Sequence, residues 1–342
     1  MTRLSDTGYR SLFNLLAVPP ESTQPMLLNS VKFSSSARIA AIVGALTLVA
    51  AASPVFAQAD AIPTDLVNVK QPLTAEQRKS VTEFVTKLAD RFAEADPAGV
   101  VAIRTKLVDQ IRQTTVSPNF RRDFGIAFVK GFAKFAEGTD SMRATNAFIL
   151  ARFVGTAESI DFLVDNLDSD NQPEVAIRIA ASAQLPKALN AAPLSPPQFD
   201  AITKRIAAVL KKERNWVVAA HEVESITQML REEALTPAQA EAIAMSLAST
   251  INDLQSRVAA GSDPQLINAL QRALLAVRNQ LSGIAGSART KLLTAIAPSL
   301  DSLVKMKSTP PAGISEAKLD LTFKAVVNTA GLLQKVTASG GA

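Results

Sequence analysis

The sequence holds no cysteine and only one histidine, His221, among 342 residues. The first absence excludes disulfides, thiolate catalysis and cysteine-based metal sites. The second excludes any site that needs two imidazoles. The stretch Trp216-Val-Val-Ala-Ala-His221-Glu-Val-Glu224 also departs from the H-E-x-x-H metal motif. Tryptophan and tyrosine occur once each, at Trp216 and Tyr9, and glycine only 14 times. There is no glycine-rich phosphate cradle, nucleophile elbow or dinucleotide fingerprint. No segment shows the alternation of a half-buried strand. No catalytic residue, cofactor or metal is therefore expected. His221 lies beside the apolar stripe Ala220, Val223 and Ile226 and reads as a boundary residue paired with Glu224.

What is present begins with the pattern of an export signal. Lys32 and Arg38 precede an apolar run from Ile39 to Ala52, followed by Ser53, Pro54 and small residues up to Ala59. Ala57 and Ala59 suit the −3 and −1 positions that a signal peptidase reads. The run is alanine-rich and shorter than the roughly 20 apolar residues of a membrane span. Cleavage after Ala59 is expected, giving an exported chain, periplasmic or extracellular, without a transmembrane span. Residues 1–25 precede the basic region and contain Pro19-Pro20, so they read as an N-terminal extension. Met26 makes a more ordinary signal start. The net charge is +5, of which residues 1–59 hold about +2 through Arg3, Arg10, Lys32 and Arg38 against Asp6 and Glu21. So small a charge implies no dedicated polyanion, and no nucleic-acid partner is expected.

Residues 60–73 contain Pro63 and Pro72 without periodicity and read as a linker. From Thr74 onward, helix starts are marked by an oxygen-bearing residue followed by proline: Asp96-Pro97, Ser117-Pro118, Ser195-Pro196, Thr236-Pro237 and Asp263-Pro264. Thr74 and Gln77 form a capping box. Between starts the apolar spacing is helical, as in Phe120, Phe124, Phe128, Phe132 and Phe135, or Ile243, Leu247, Ile251, Leu254 and Val258. The pattern predicts about twelve helices, starting near 74, 97, 118, 140, 157, 173, 196, 215, 237, 264, 287 and 315. Starts about 20 residues apart, and pairs about 40 apart, belong to stacked helix pairs that bury their apolar faces on one another. The prolines of 186–197 mark a kink or boundary between an N-terminal half, 74–190, and a C-terminal half, 195–306. Residues 307–342 read as a linker, a last helix and a mobile tail.

One stretch is more specific. Ser159 to Leu167 supplies a leucine-bearing helix, Asp170 and Pro173 a turn, and Val175, Arg178, Ala180 and Ala181 the opening of a second helix. This order resembles a HEAT repeat, best over residues 140–190. Ala176 and Ile177 separate Val175 from Arg178, where the family holds valine and arginine adjacent, which implies a longer turn or a shifted register. The resemblance to the HEAT/armadillo superfamily implies an all-α fold, a right-handed solenoid-like stack of about twelve antiparallel helices. Together with the capped helices, the pair spacing, the missing catalytic groups and the export signal, it leads to the expectation of a non-catalytic binding or scaffold role toward another protein in the cell envelope.

Three groups of residues are candidates for more. Lys204, Arg205, Lys211, Lys212 and Arg214 form the densest basic cluster, a candidate contact for an anionic surface; Glu213 interrupts it. Asp161 and Asp165 share a helix face, as paired carboxylates of a hydrolase or lyase do. They carry the alternative reading, an enzyme on an α-helical scaffold, with a solvated charge pair as the plainer one. Asp168-Ser-Asp170-Asn171 opens like a calcium loop, but Pro173 and Ile179 stand where such a loop needs glycine and glutamate. A turn with capping acids is expected. The phenylalanine run over 120–135 reads as core first and a partner groove second, and Trp216 as packed.

Overall fold

The computed structural model describes residues 62, 64–112, 116–230, 235–284 and 286–339, all within one unit of the chain, Val55–Ala342. The signal segment with Ala57 and Ala59, the extension 1–25 and Met26 lie outside the described residues. Among the described residues there are thirteen α-helices and no strand. They are α1 (Thr64–Val67), α2 (Ala75–Glu94), α3 (Pro97–Ile111), α4 (Pro118–Phe132), α5 (Ser141–Val154), α6 (Ala157–Asp165) and α7 (Val175–Ala191). Then follow α8 (Pro196–Leu210), α9 (Trp216–Met229), α10 (Pro237–Ala259), α11 (Ile267–Gln280), α12 (Gly286–Lys305) and α13 (Asp320–Ala338). No described helix is long and apolar enough to cross a membrane.

The caps explain why the helices begin where they do. Asp96 Oδ1 accepts from the Gly99 N–H at 2.7 Å, and Ser117 Oγ from that of Phe120 at 3.1 Å. Thr74 and Gln77 close their capping box, as do Thr236 and Gln239. Each bond satisfies a backbone donor that the first turn leaves orphaned. Ten of the twelve expected starts fall within two residues of an observed one, and the two exceptions have physical causes. Asp263 gives its carboxylate to Arg257 Nη2 at 3.2 Å instead of capping, so Pro264–Leu266 form a 3₁₀ turn and α11 waits for Ile267. Near 315 the chain turns through Lys318 at φ 58°, a left-handed conformation, and α13 starts only at Asp320.

From α2 onward the helices pack on neighbours one and two places along the chain, and α1 packs on α4. Second-neighbour contacts make two rows, α2–α4–α6–α8–α10–α12 and α3–α5–α7–α9–α11–α13. Between them lies a continuous apolar core. The phenylalanine stripe is part of it: Phe120, Phe124, Phe128, Phe132 and Phe135 are all buried. Phe92 of α2 meets Phe132 and Phe135 edge-on at 5.2 and 4.8 Å between centroids, a favoured geometry for the ring quadrupoles.

Two sequence-based expectations change here. Residues 60–73 do not hang free: Ile62, Leu66, Val67 and Leu73 are buried, and Val67 O and Lys70 O accept from Ser117 N and Asn119 Nδ2, both at 2.8 Å. One helical turn is too short to show a period. Residues 186–197 do not interrupt the packing either. α7 runs through buried Pro186 to Ala191, and α6 packs on α8, and α7 on α9, across that segment.

Gly125 of α4 marks a close approach. A Cβ there would stand 2.3 Å from Oγ1 of Thr156, which caps α6. Helix propensity alone favours alanine by about 1 kcal/mol. Displacing a buried β-branched cap costs more, so Gly125→Ala is expected to destabilise by about 1–3 kcal/mol in urea unfolding. A stabilised variant contradicts the packing of α4 on α6.

Candidate functional site

Polar side chains inside the stack converge on one node. Arg178 of α7 and Glu213, in the α8–α9 turn, are both buried and paired, Nε to Oε2 at 2.9 Å. Arg178 Nη1 also donates to the carbonyls of Gln172 and Pro173, at 2.8 and 2.9 Å, closing the α6–α7 turn. Glu213 Oε1 accepts from Asn215 N at 2.6 Å, just ahead of α9. From α10, Arg257 donates to the carbonyls of Leu210, Lys211 and Glu213 at 3.3, 3.4 and 2.6 Å. Helix ends leave such carbonyls without partners, and a cation there offsets their partial negative charge. Arg143 serves the end of α2 likewise, donating to Ala93 O and Ala95 O at 3.0 and 2.8 Å. Arg178 is thus a structural clamp.

Glu222 of α9 lies beside this node, fully buried, with no hydrogen-bond partner for either carboxyl oxygen. Burial pushes its pKa well above the ordinary carboxylate value; the Glu213 charge adds to this and Arg178 opposes it. Glu222 is therefore held protonated. His221 behaves in the opposite sense. Its Nδ1 meets Ser182 Oγ at 3.1 Å, so its partner is Ser182 and not Glu224. Burial, then the charges of Arg272 and Lys187, lower its pKa to about 4. Ser182 is itself fully buried and donates to Ile179 O at 3.0 Å, a packing arrangement and not an exposed nucleophile.

The basic cluster read from the sequence is largely neutralised from within the row α2–α12. Lys204 pairs with Asp200 at 2.7 Å, and Arg205 spans Asp161 and Asp165 of α6. Lys212 reaches Asp170 at 2.5 Å, and that hydrogen bond holds its ammonium above its ordinary pKa. Lys211 and Arg214 are exposed. The carboxylate pair Asp161 and Asp165 thus shares one guanidinium. Asp168 and Asp170 form a turn, Asp170 N donating to Asp168 Oδ1 at 3.0 Å. The same row carries Lys134–Asp90 at 3.3 Å and a Lys291–Glu241 pair.

The other row is joined differently. Arg104 of α3 donates to Asn146 of α5 at 2.9 Å, and Gln228 of α9 to Asn190 of α7 at 3.0 Å. Arg112 and Arg152 both stand over the ring of Phe153, at 5.6 and 4.7 Å from its centroid, and Arg272 over that of Trp216 at 5.6 Å. Both rings are half-buried. Arg104, Arg112, Arg152, Lys187 and Arg272 make no ion pair among the described residues. Within α3, α5, α7, α9 and α11 the exposed acids are Asp109 and Glu224. This basic, aromatic-bearing surface has no sequence cluster behind it, because its cations lie on different helices. The signal available was a scatter of single cations over α3, α5, α7 and α11, with Trp216 and no cation on α9.

No family model matches the chain, and no curated protein or solved structure matches it either.

Two measurements test the interior. Removing one partner of a buried ion pair costs about 3–5 kcal/mol, whereas replacing both with apolar groups costs far less. Arg178→Ala is therefore expected to lower the urea unfolding midpoint more than Arg178→Met combined with Glu213→Leu. The reverse order counts against the node. The second measurement is stability against pH. As pH rises above the ordinary glutamate value, the unfolded chain ionises while folded Glu222 keeps its proton, so stability falls. As pH drops from about 6.5 toward about 4, the unfolded chain protonates its histidine while folded His221 does not, so stability falls again. Glu222→Gln is expected to flatten the alkaline limb and His221→Gln the acidic one. An unchanged alkaline limb in Glu222→Gln means Glu222 is ionised.

Proposed function

We propose that this chain is an exported, non-catalytic binding or scaffold protein, a right-handed HEAT-like solenoid that holds another protein in the cell envelope. The observation that carries this reading is the arrangement of helices in two rows, in which from α2 onward the main contacts are with helices one and two places along the chain. A stack of that kind exposes one helix face per step and offers a long surface instead of a closed cleft. The Arg178 clamp on its Asp170–Pro173 turn supports the same reading, since it lies where the HEAT resemblance is best. Lys32, Arg38, the apolar run and Ala57-x-Ala59 support export, to the periplasm or beyond the cell.

The test is made in the producing cell. The chain recovered from the envelope or medium is expected to begin at Asp60 by N-terminal sequencing. Cross-linking in the intact envelope is expected to join it to one protein reproducibly. A chain retained inside the cell with residues 1–59 attached overturns the export reading. A chain that remains uncross-linked while hydrolysing a substrate overturns the scaffold reading.

A further inference from the structure

The row α3–α5–α7–α9–α11 leaves charge unspent. Part of it offsets helix ends: Arg112 caps α3, and Arg152 lies in the last turn of α5. That does not account for Arg104 or Arg272, which sit inside α3 and α11. Nor does it account for two guanidiniums over the single ring of Phe153. Like charges so placed repel unless an anion comes between them. Burial, and then the Arg112 charge, both disfavour the charged form of Arg152. Further along the row, Arg272 and Lys187 disfavour the charged form of His221, so the positive field extends from α7 to α11.

We propose that this outward face binds an extended acidic segment of a partner protein, its carboxylates on Arg104, Arg112, Arg152, Lys187 and Arg272 and its apolar side chains on Phe153 and Trp216. The proposal deepens the scaffold reading and rests on it. A guanidinium fork matches a carboxylate bidentately, and a ring already flanked by arginines also offers an apolar patch. Spacing favours a polypeptide. Packed helices lie about 10 Å apart, and an extended chain rises about 3.3 Å per residue, so every third residue reaches the next helix; carboxylates meet cations on α3, α5, α7 and α11, and at α9 the step falls to Trp216. From α3 to α11 is about 40 Å, or about twelve residues of extended peptide.

The test uses the full chain and a fluorescein-labelled peptide of repeated Glu-Leu-Ser, about twelve residues long by the same spacing. By fluorescence anisotropy the peptide is expected to bind, with affinity falling as salt rises. Arg112→Glu with Arg152→Glu is expected to weaken binding at least about tenfold, as like charge facing the ligand does. Lys204→Glu with Lys211→Glu, on the other row, is expected to leave it unchanged. Lys187→Gln with Arg272→Gln, which introduces no repulsion, keeps the test open if the first double variant fails to fold; it is expected to weaken binding less. Equal loss in the two glutamate doubles overturns the proposal. So does equal binding of a Lys-Leu-Ser peptide, or tighter binding of phosphatidylglycerol vesicles or of inorganic phosphate. If folded Arg112→Glu/Arg152→Glu chain still cross-links its envelope partner, the scaffold reading stands and this proposal falls.

Discussion

The middle of the stack depends on one buried ion pair, Arg178 with Glu213. Two inter-helix turns and a further helix meet there: Arg178 closes the α6–α7 turn, Glu213 sits in the α8–α9 turn, and Arg257 reaches in from α10. In a low-dielectric interior neither charge tolerates the loss of the other, so a change at one partner alone disturbs all the elements that meet there, whereas exchanging both for apolar groups disturbs them far less. The node also shapes its surroundings. Glu222 lies close by without a partner, and burial, then the Glu213 charge, push its pKa well above the ordinary carboxylate value.

The two rows of helices are held by different polar chemistry around the same apolar core. Across α2–α12, ion pairs such as Arg205 with Asp161 and Asp165 join successive helices and offset much of the surface charge, and α10 and α12 add amide hydrogen bonds from Asn252 to Ala295 O and from Gln255 to Ser302. Across α3–α13, amide hydrogen bonds and cation–ring contacts do the joining, and the cations keep their charge. Exposed ion pairs contribute little to stability, so the difference matters less for folding than for what each face presents to a partner. A neutralised face and a basic one on the same stack give it a direction for recognition.

Much of the fold was legible in advance. Proline after a capping oxygen is a local signal, since the first turn's orphaned donors demand it, and Pro97, Pro118, Pro196 and Pro237 each open a helix. The phenylalanines at 120–135 were legible because helical spacing puts them on one buried stripe. Asp263 was misread because its carboxylate has two uses, and Arg257, at the end of the preceding helix, took it from the cap. Residues 60–73 were misread because four helical residues carry no period. The site was less legible. Lys204 to Arg214 looked like a basic patch because the acids that neutralise it, Asp161, Asp165 and Asp170, lie about 40 residues earlier in the chain.

By itself the sequence determined the helical class, nearly every helix start and the apolar stripe of each helix. These follow from caps, prolines and spacing within a few residues. Which charges remain free, and which side chain partners His221, were decided by the tertiary structure. Electrostatic interactions act through space. Packing at second-neighbour distance brings Arg112 and Arg152 to one ring, Ser182 to His221 and Glu213 to Arg178, though each pair is 35 to 40 residues apart along the chain.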